Sequence, residues 1–197
     1  APTAPTAPTV PIRRPRVAPV SRTPGHLLTR AERWASGKAL RAACPREAHA
    51  ESTLPTGRPD PVESLIASSR GRIPNLVPIR YGRMLASPFA FYRGAASIMA
   101  ADLAGTPSSG ITVQACGDCH LMNFGAFATP ERRIVFDIND FDETHPAPWE
   151  WDLKRLAASF VIAGRHNGHK PSACRAAAVR VVERYRDRLI ELARGST

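Results

Sequence analysis

Proline constrains this chain more than any other residue. The opening APTAPTAPT carries one at every third position, and prolines recur as far as Pro59. Each fixes φ near −65° and removes a backbone donor, so neither a helix interior nor a central strand passes through such a stretch. No apolar period there lasts more than about two turns. Residues 1–59 are therefore expected to form a disordered arm with at most a short helix around Ala31 to Ala43. The core must come from 60–197, and with 43% hydrophobic residues in a 197-residue chain there is enough apolar material for one domain.

The formal net charge of +10 invites a nucleic-acid reading, but its distribution does not. Arg13, Arg14, Arg16, Arg22, Arg30 and Arg33 cluster in the arm around the first acidic residue, Glu32, and no aromatic residue precedes Trp34 for bases to stack on. A solvated basic tail is the expectation, without a nucleic-acid partner. No run reaches the roughly 18 apolar residues of a membrane span, and the N-terminus has no apolar secretory core. Cys44, Cys116, Cys119 and Cys174 are too few and too irregular for a disulfide framework. These features predict a cytoplasmic protein with no membrane contact; they leave its oligomeric state open.

Asp60-Pro61-Val62-Glu63 predicts a helix start, with Asp60 as cap, Pro61 in the first turn and Glu63 reaching back, and a helix to about Arg70. Further helices are expected over Pro78 to Ala86 and, unbroken, over Pro88 to Leu103. Ile111 to Ala115 and Arg133 to Ile138 read as strands joined by a loop holding Gly125 and Pro130. Two helices close the chain. One, Glu150 to Arg165, places Leu153, Leu156, Ala157 and Phe160 on one face; the other, Pro171 to Arg194, is expected to bury Val179, Val182, Leu189 and Leu192. The class is α+β, helix-rich, with a small β element.

Chemistry concentrates in CGDCHLMNFG and VFDINDFDE, which set Asp118, His120, Asn123, Asp137 and Asp140 at strand ends. Phosphoryl transfer needs a carboxylate to orient the attacking group and oxygen ligands for Mg²⁺ on the nucleotide phosphates. Asp118 and Asn123 stand five apart, the offset of the catalytic Asp and metal-binding Asn in the kinase loop D-x-x-x-x-N. Strand alternation puts Asp137 with Asn139 on one face and Ile138 with Asp140 on the other, so spacing leaves Asp137 and Asp140 as competing metal ligands. Arg93 could offer a phosphate a bidentate fork.

The GD-x-H-x-x-N loop, apolar strand and Asp-Phe-Asp resemble the catalytic segment of aminoglycoside and choline phosphotransferases, and Trp151-Asp152-Leu153 resembles the Asp-Leu pair that follows there. More closely, RMLASPFAFYRGAASIMAADLA, CGDCHLMNFG, VFDINDFDE and WEWDLKRLAASFVIAG together resemble the bacterial family called domain of unknown function 2252, over about Arg83 to Gly168. The resemblance implies a partial, protein-kinase-like (phosphotransferase) catalytic core over 60–197, using Mg²⁺ and ATP on an unassigned acceptor. It implies Asp118 as base, Asn123 and Asp140 as Mg²⁺ ligands, and His120 and Asp152 as supports of the loop.

Two departures bear on that reading. None of the thirteen glycines forms the G-x-G of a phosphate-covering loop, and the only lysines are Lys38, Lys154 and Lys170, none on an expected strand. The chain is therefore expected to be a fragment that binds nucleotide weakly or not at all alone. Rival readings start from Cys116-Gly117-Asp118-Cys119-His120, which matches the C-x-x-C-H haem attachment pattern, but no secretory signal accompanies it. A zinc site on the same residues lacks a fourth ligand at metal spacing. A kinase-like pseudoenzyme or binding module is the remaining alternative.

Overall fold

The computed structural model describes residues 28–51 and 54–195. The proline repeat and the arginines up to Arg22 lie outside the described residues. Within the segment whose composition reads as an arm, α1 (Arg30–Ala43) forms over the one expected short helix. Thr29 and Glu32 cap it reciprocally, the Thr29 hydroxyl accepting from Glu32 N and the Glu32 carboxylate from Thr29 N. None of its residues is buried. A 3₁₀ turn, Arg46–Ala50, follows. Arg58 then reaches the body, where its Nε and Nη2 both donate to the Asp102 carboxylate. Bidentate guanidinium geometry is something arginine and proline counts cannot convey.

Asp60 caps α2 (Pro61–Ser68) as expected, accepting from Val62 N and Glu63 N. A 3₁₀ turn, Pro74–Leu76, leads into α3 (Val77–Met84). The single helix expected from Pro88 to Leu103 is two: α4 (Pro88–Arg93), capped by Ser87, and α5 (Ala96–Leu103). The break falls at Gly94 because the buried Met84 side chain occupies the space a Cβ would fill, with Sδ 2.7 Å from that position. Gly94→Ala is accordingly expected to cost about 1–3 kcal/mol by overpacking, measurable as a fall in the urea midpoint.

Among the described residues four strands form two separate antiparallel ladders, not the single pair joined by a loop. β1 (Thr112–Ala115) pairs with β4 (His145–Pro148), in a register from Thr112 opposite Pro148 to Ala115 opposite His145. β2 (Phe124–Ala128) pairs with β3 (Ile134–Ile138), so the stretch around Gly125 expected to be a loop is a strand, and Pro130 sits in the turn beyond it. Pro146 and Pro148 are tolerated in β4 because a two-stranded ladder consists only of edges.

α6 (Trp149–His166) and α7 (Pro171–Gly195) form an antiparallel hairpin. The expected apolar face of α6, Leu153 to Phe160, is only half-buried, while its buried positions are Glu150, Arg155, Ser159 and Ala163. On α7 only Cys174 is buried, against Gly164; Val179, Val182, Leu189 and Leu192 are exposed, contrary to the periodicity. Amphipathic spacing reports that a face is apolar, not that something covers it. Tyr185 stacks on Trp149, the first residue of α6, at 5.8 Å and 6°, so residues 186–195 run on past that end of α6. No helix among the described residues is long and apolar enough to cross a membrane.

Candidate functional site

The loop between β1 and β2 is pinned from below by α6. The Asp152 carboxylate accepts from Cys116 N at 2.7 Å and Gly117 N at 3.1 Å, and the Ser159 hydroxyl accepts from Leu121 N at 3.0 Å. Gly117 has φ +77°, and a Cβ there would overlap the Glu143 carbonyl, so the following loop closes directly over it. These contacts fix the path of the chain into Asp118.

Asp118 is held from two sides. Arg155, 2% exposed, donates to its Oδ1 from Nε at 2.9 Å and also from Nη2. The same Nη2 donates to Tyr92 O at 2.8 Å, the guanidinium lies 4.4 Å from the Tyr92 ring centre, and the Tyr92 hydroxyl donates back to Arg155 O. His120 Nδ1 accepts from Met122 N, which places the proton on Nε2, 3.3 Å from Asp118 Oδ2. Burial pushes the Asp118 carboxyl up, but the His120 hydrogen bond and the charge and hydrogen bonds of Arg155 outweigh it and hold the group below the usual carboxylate range. Burial also raises the Tyr92 phenol to about 12.

Asn123, 4% exposed, joins the two polar loops. Its Nδ2 donates to Asp118 O and to Asp140 O, both at 3.1 Å, and its Oδ1 accepts from Asp140 N at 3.0 Å. Asn139 N closes the junction on Asn123 O. The expected residues Asp118, His120, Asn123 and Asp140 are thus brought together. Asp137 stands apart on β3, exposed, opposite Gly125 in the ladder and accepting from Ile138 N. Arg93 ends α4, exposed, and no hydrogen bond joins it to these residues among the described ones.

The oxygen donors left for a cation are few. Asp140 is exposed and uses Oδ1 for Asp142 N, with no protein hydrogen bond to Oδ2 among the described residues, and Asn123 Oδ1 retains one lone pair. No three His, Cys, Asp or Glu side chains converge as a metal cluster among the described residues. Mg²⁺ keeps several waters and takes one or two protein oxygens beside phosphate, so Asp140 and Asn123 are the residues that could hold it. His120 spends its ring nitrogens on Met122 N and Asp118, not on the neighbouring thiols.

Arg155, Tyr92 and Ser159 are central here and were not singled out from the sequence. The signal for Arg155 and Ser159 is a polar line along α6, Asp152, Arg155 and Ser159 at i, i+3 and i+7, which hydrophobic periodicity counts as outward-facing; Tyr92 lies on α4, outside that line.

The fold and this braced pair of loops define an α+β, helix-rich protein whose polar centre is built on a helix hairpin. The chain belongs to the family described as an uncharacterised protein conserved in bacteria, domain of unknown function 2252, which it matches over residues 72–197. No curated protein and no solved structure matches it.

Proposed function

We propose that this chain carries the base-and-metal portion of an ATP- and Mg²⁺-dependent phosphotransferase with a kinase-like loop. The observation that supports it is the Asn123 amide, which bonds the backbone of both Asp118 and Asp140 and so sets the two carboxylates on one rigid junction. Asp118 is ionised at neutral pH, which suits a group that accepts a hydrogen bond from an acceptor hydroxyl and takes its proton late. His120 and Arg155 orient that carboxylate. Asp140, with Asn123, is the better-supported holder of Mg²⁺; Asp137 is the alternative and Arg93 the candidate phosphate contact. When bound, the cation would neutralise charge on the transferred phosphoryl group.

A non-catalytic binding module is the second reading, and one observation favours it: both Asp118 oxygens already have protein partners. Thermal unfolding of the protein expressed from its complete reading frame, with Mg²⁺-ATP, with ATP plus chelator, and for Asp140→Asn, separates binding from its absence. At about a hundredfold excess over Kd a ligand adds roughly 2.7 kcal/mol, a shift of several degrees. Wild type is expected to shift only with Mg²⁺ present, and Asp140→Asn not at all. No shift at millimolar nucleotide sinks both forms of nucleotide site. Phosphate release then separates transfer from binding alone.

A further inference from the structure

The Cys116/Cys119 pair is left unused by the proposed chemistry. Both thiols are buried and free, three residues apart on the loop that leaves β1. The other two cysteines have separate local partners, Cys44 at His49 Nε2 and Cys174 at His169 O. The backbone between the pair is already turned: Gly117 is left-handed, and Asp152 holds the Cys116 and Gly117 amides. A three-residue separation across a left-handed bend lets the pair close a small ring once the sulfurs reach the roughly 2.05 Å of a disulfide.

We infer that Cys116 and Cys119 are a reversible thiol–disulfide modification site, oxidised by low-molecular-weight disulfides, that closes a ring around Gly117 and Asp118. One thiolate attacks a sulfur of the disulfide RSSR, whose S–S bond breaks to release RS⁻. The second thiol gives its proton to water and its sulfur attacks the mixed disulfide, expelling the second RS⁻. The protein pair loses two electrons and two protons, and RSSR becomes two RSH once both thiolates are protonated.

The bond reaches beyond the pair because Asn123 Nδ2 also contacts Cys116 Sγ, at 3.6 Å. Bonding that sulfur to Cys119 replaces the thiol that the amide carrying Asp118 and Asp140 contacts. A weaker nucleotide response in the oxidised form is the consequence, and this second step rests on the phosphotransferase reading.

The test equilibrates the full chain with glutathione at rising oxidised share, quenches in acid, alkylates and digests with trypsin. Fragment 94–132 contains Cys116 and Cys119 and no other cysteine. It is expected to lose about 2 Da and its alkylation, reversibly with dithiothreitol, while Cys44 and Cys174 stay alkylated. Two alkylated thiols at every ratio, or a glutathione adduct that never closes, overturns the inference. Cys119→Ser is expected to stop at the adduct on Cys116; a Cys116 disulfide to Cys44 or Cys174 instead shows the pairing to be wrong. Oxidised and reduced protein are then compared for the Mg²⁺-ATP thermal shift. Equal shifts overturn the coupling through Asn123, whereas no shift in either form removes the phosphotransferase reading and leaves the disulfide standing.

Discussion

Arg155→Met is expected to destabilise the protein by about 3–5 kcal/mol, the cost of leaving a partly buried charge without its partner. Three contacts go at once: the paired donors to Asp118 Oδ1, the bond to Tyr92 O and the stacking on the Tyr92 ring. For a folded region of this size the midpoint should fall by roughly ten degrees. Arg155→Lys retains charge but not the fork, and should recover less than half of the loss. The pH dependence carries a sharper signature. In the wild type Asp118 titrates below its ordinary value, so its contribution is complete above about pH 4 and is lost as pH falls through the lower folded value. Without Arg155, burial acts with less opposition and the carboxyl rises, so acid destabilisation should begin at higher pH. Asp118→Asn placed on Arg155→Met removes the stranded charge and should restore part of the stability. A loss under about 1 kcal/mol for Arg155→Met, with no movement of the acid limb, would show that Asp118 simply turns to water.

This centre explains why the sequence was legible in some places and opaque in others. Local rules sufficed where an element is set by its own residues: Asp60 before Pro61 starts α2, and the Thr29–Glu32 spacing that starts α1 is the same kind of signal. They failed where the deciding atom comes from elsewhere in the chain. Gly94 ends α4 because of Met84, ten residues earlier, and β4 is a strand because Thr112 to Ala115 offers it a partner despite its two prolines. The polar motif around Asp118 was readable because its residues lie close in sequence. Its brace was not, since Arg155 and Tyr92 stand 63 residues apart and meet only when α4 crosses α6. Helix periodicity misjudged α6 for a related reason: the face that meets the loop must satisfy backbone donors and a carboxylate, so it is polar where an ordinary core face is apolar.

The same logic predicts that Asp152→Ala will cost about 3 kcal/mol, because two backbone N–H groups lose charged acceptors at a buried bend. Asp152→Asn keeps one good acceptor oxygen and should cost about half as much. Stability alone would not distinguish a local brace from general helix damage, but amide exchange does. In Asp152→Ala the Cys116 and Gly117 amides should exchange on the order of a hundredfold faster, while amides in the middle of α6 and α7 slow or speed only with global stability. Uniform acceleration across the chain would place Asp152 among ordinary packing residues. Selective acceleration at the bend makes it the residue that sets the direction in which the chain enters Asp118. Because Asn123 ties Asp118 to Asp140, loosening that entry should also reach the second loop: Asp140 N, which donates to Asn123 Oδ1, is expected to lose protection next, ahead of β3. An order of release from Cys116 through Asn123 to Asp140 would establish that the two carboxylates move as one unit, the property on which any joint role in holding phosphate and metal depends.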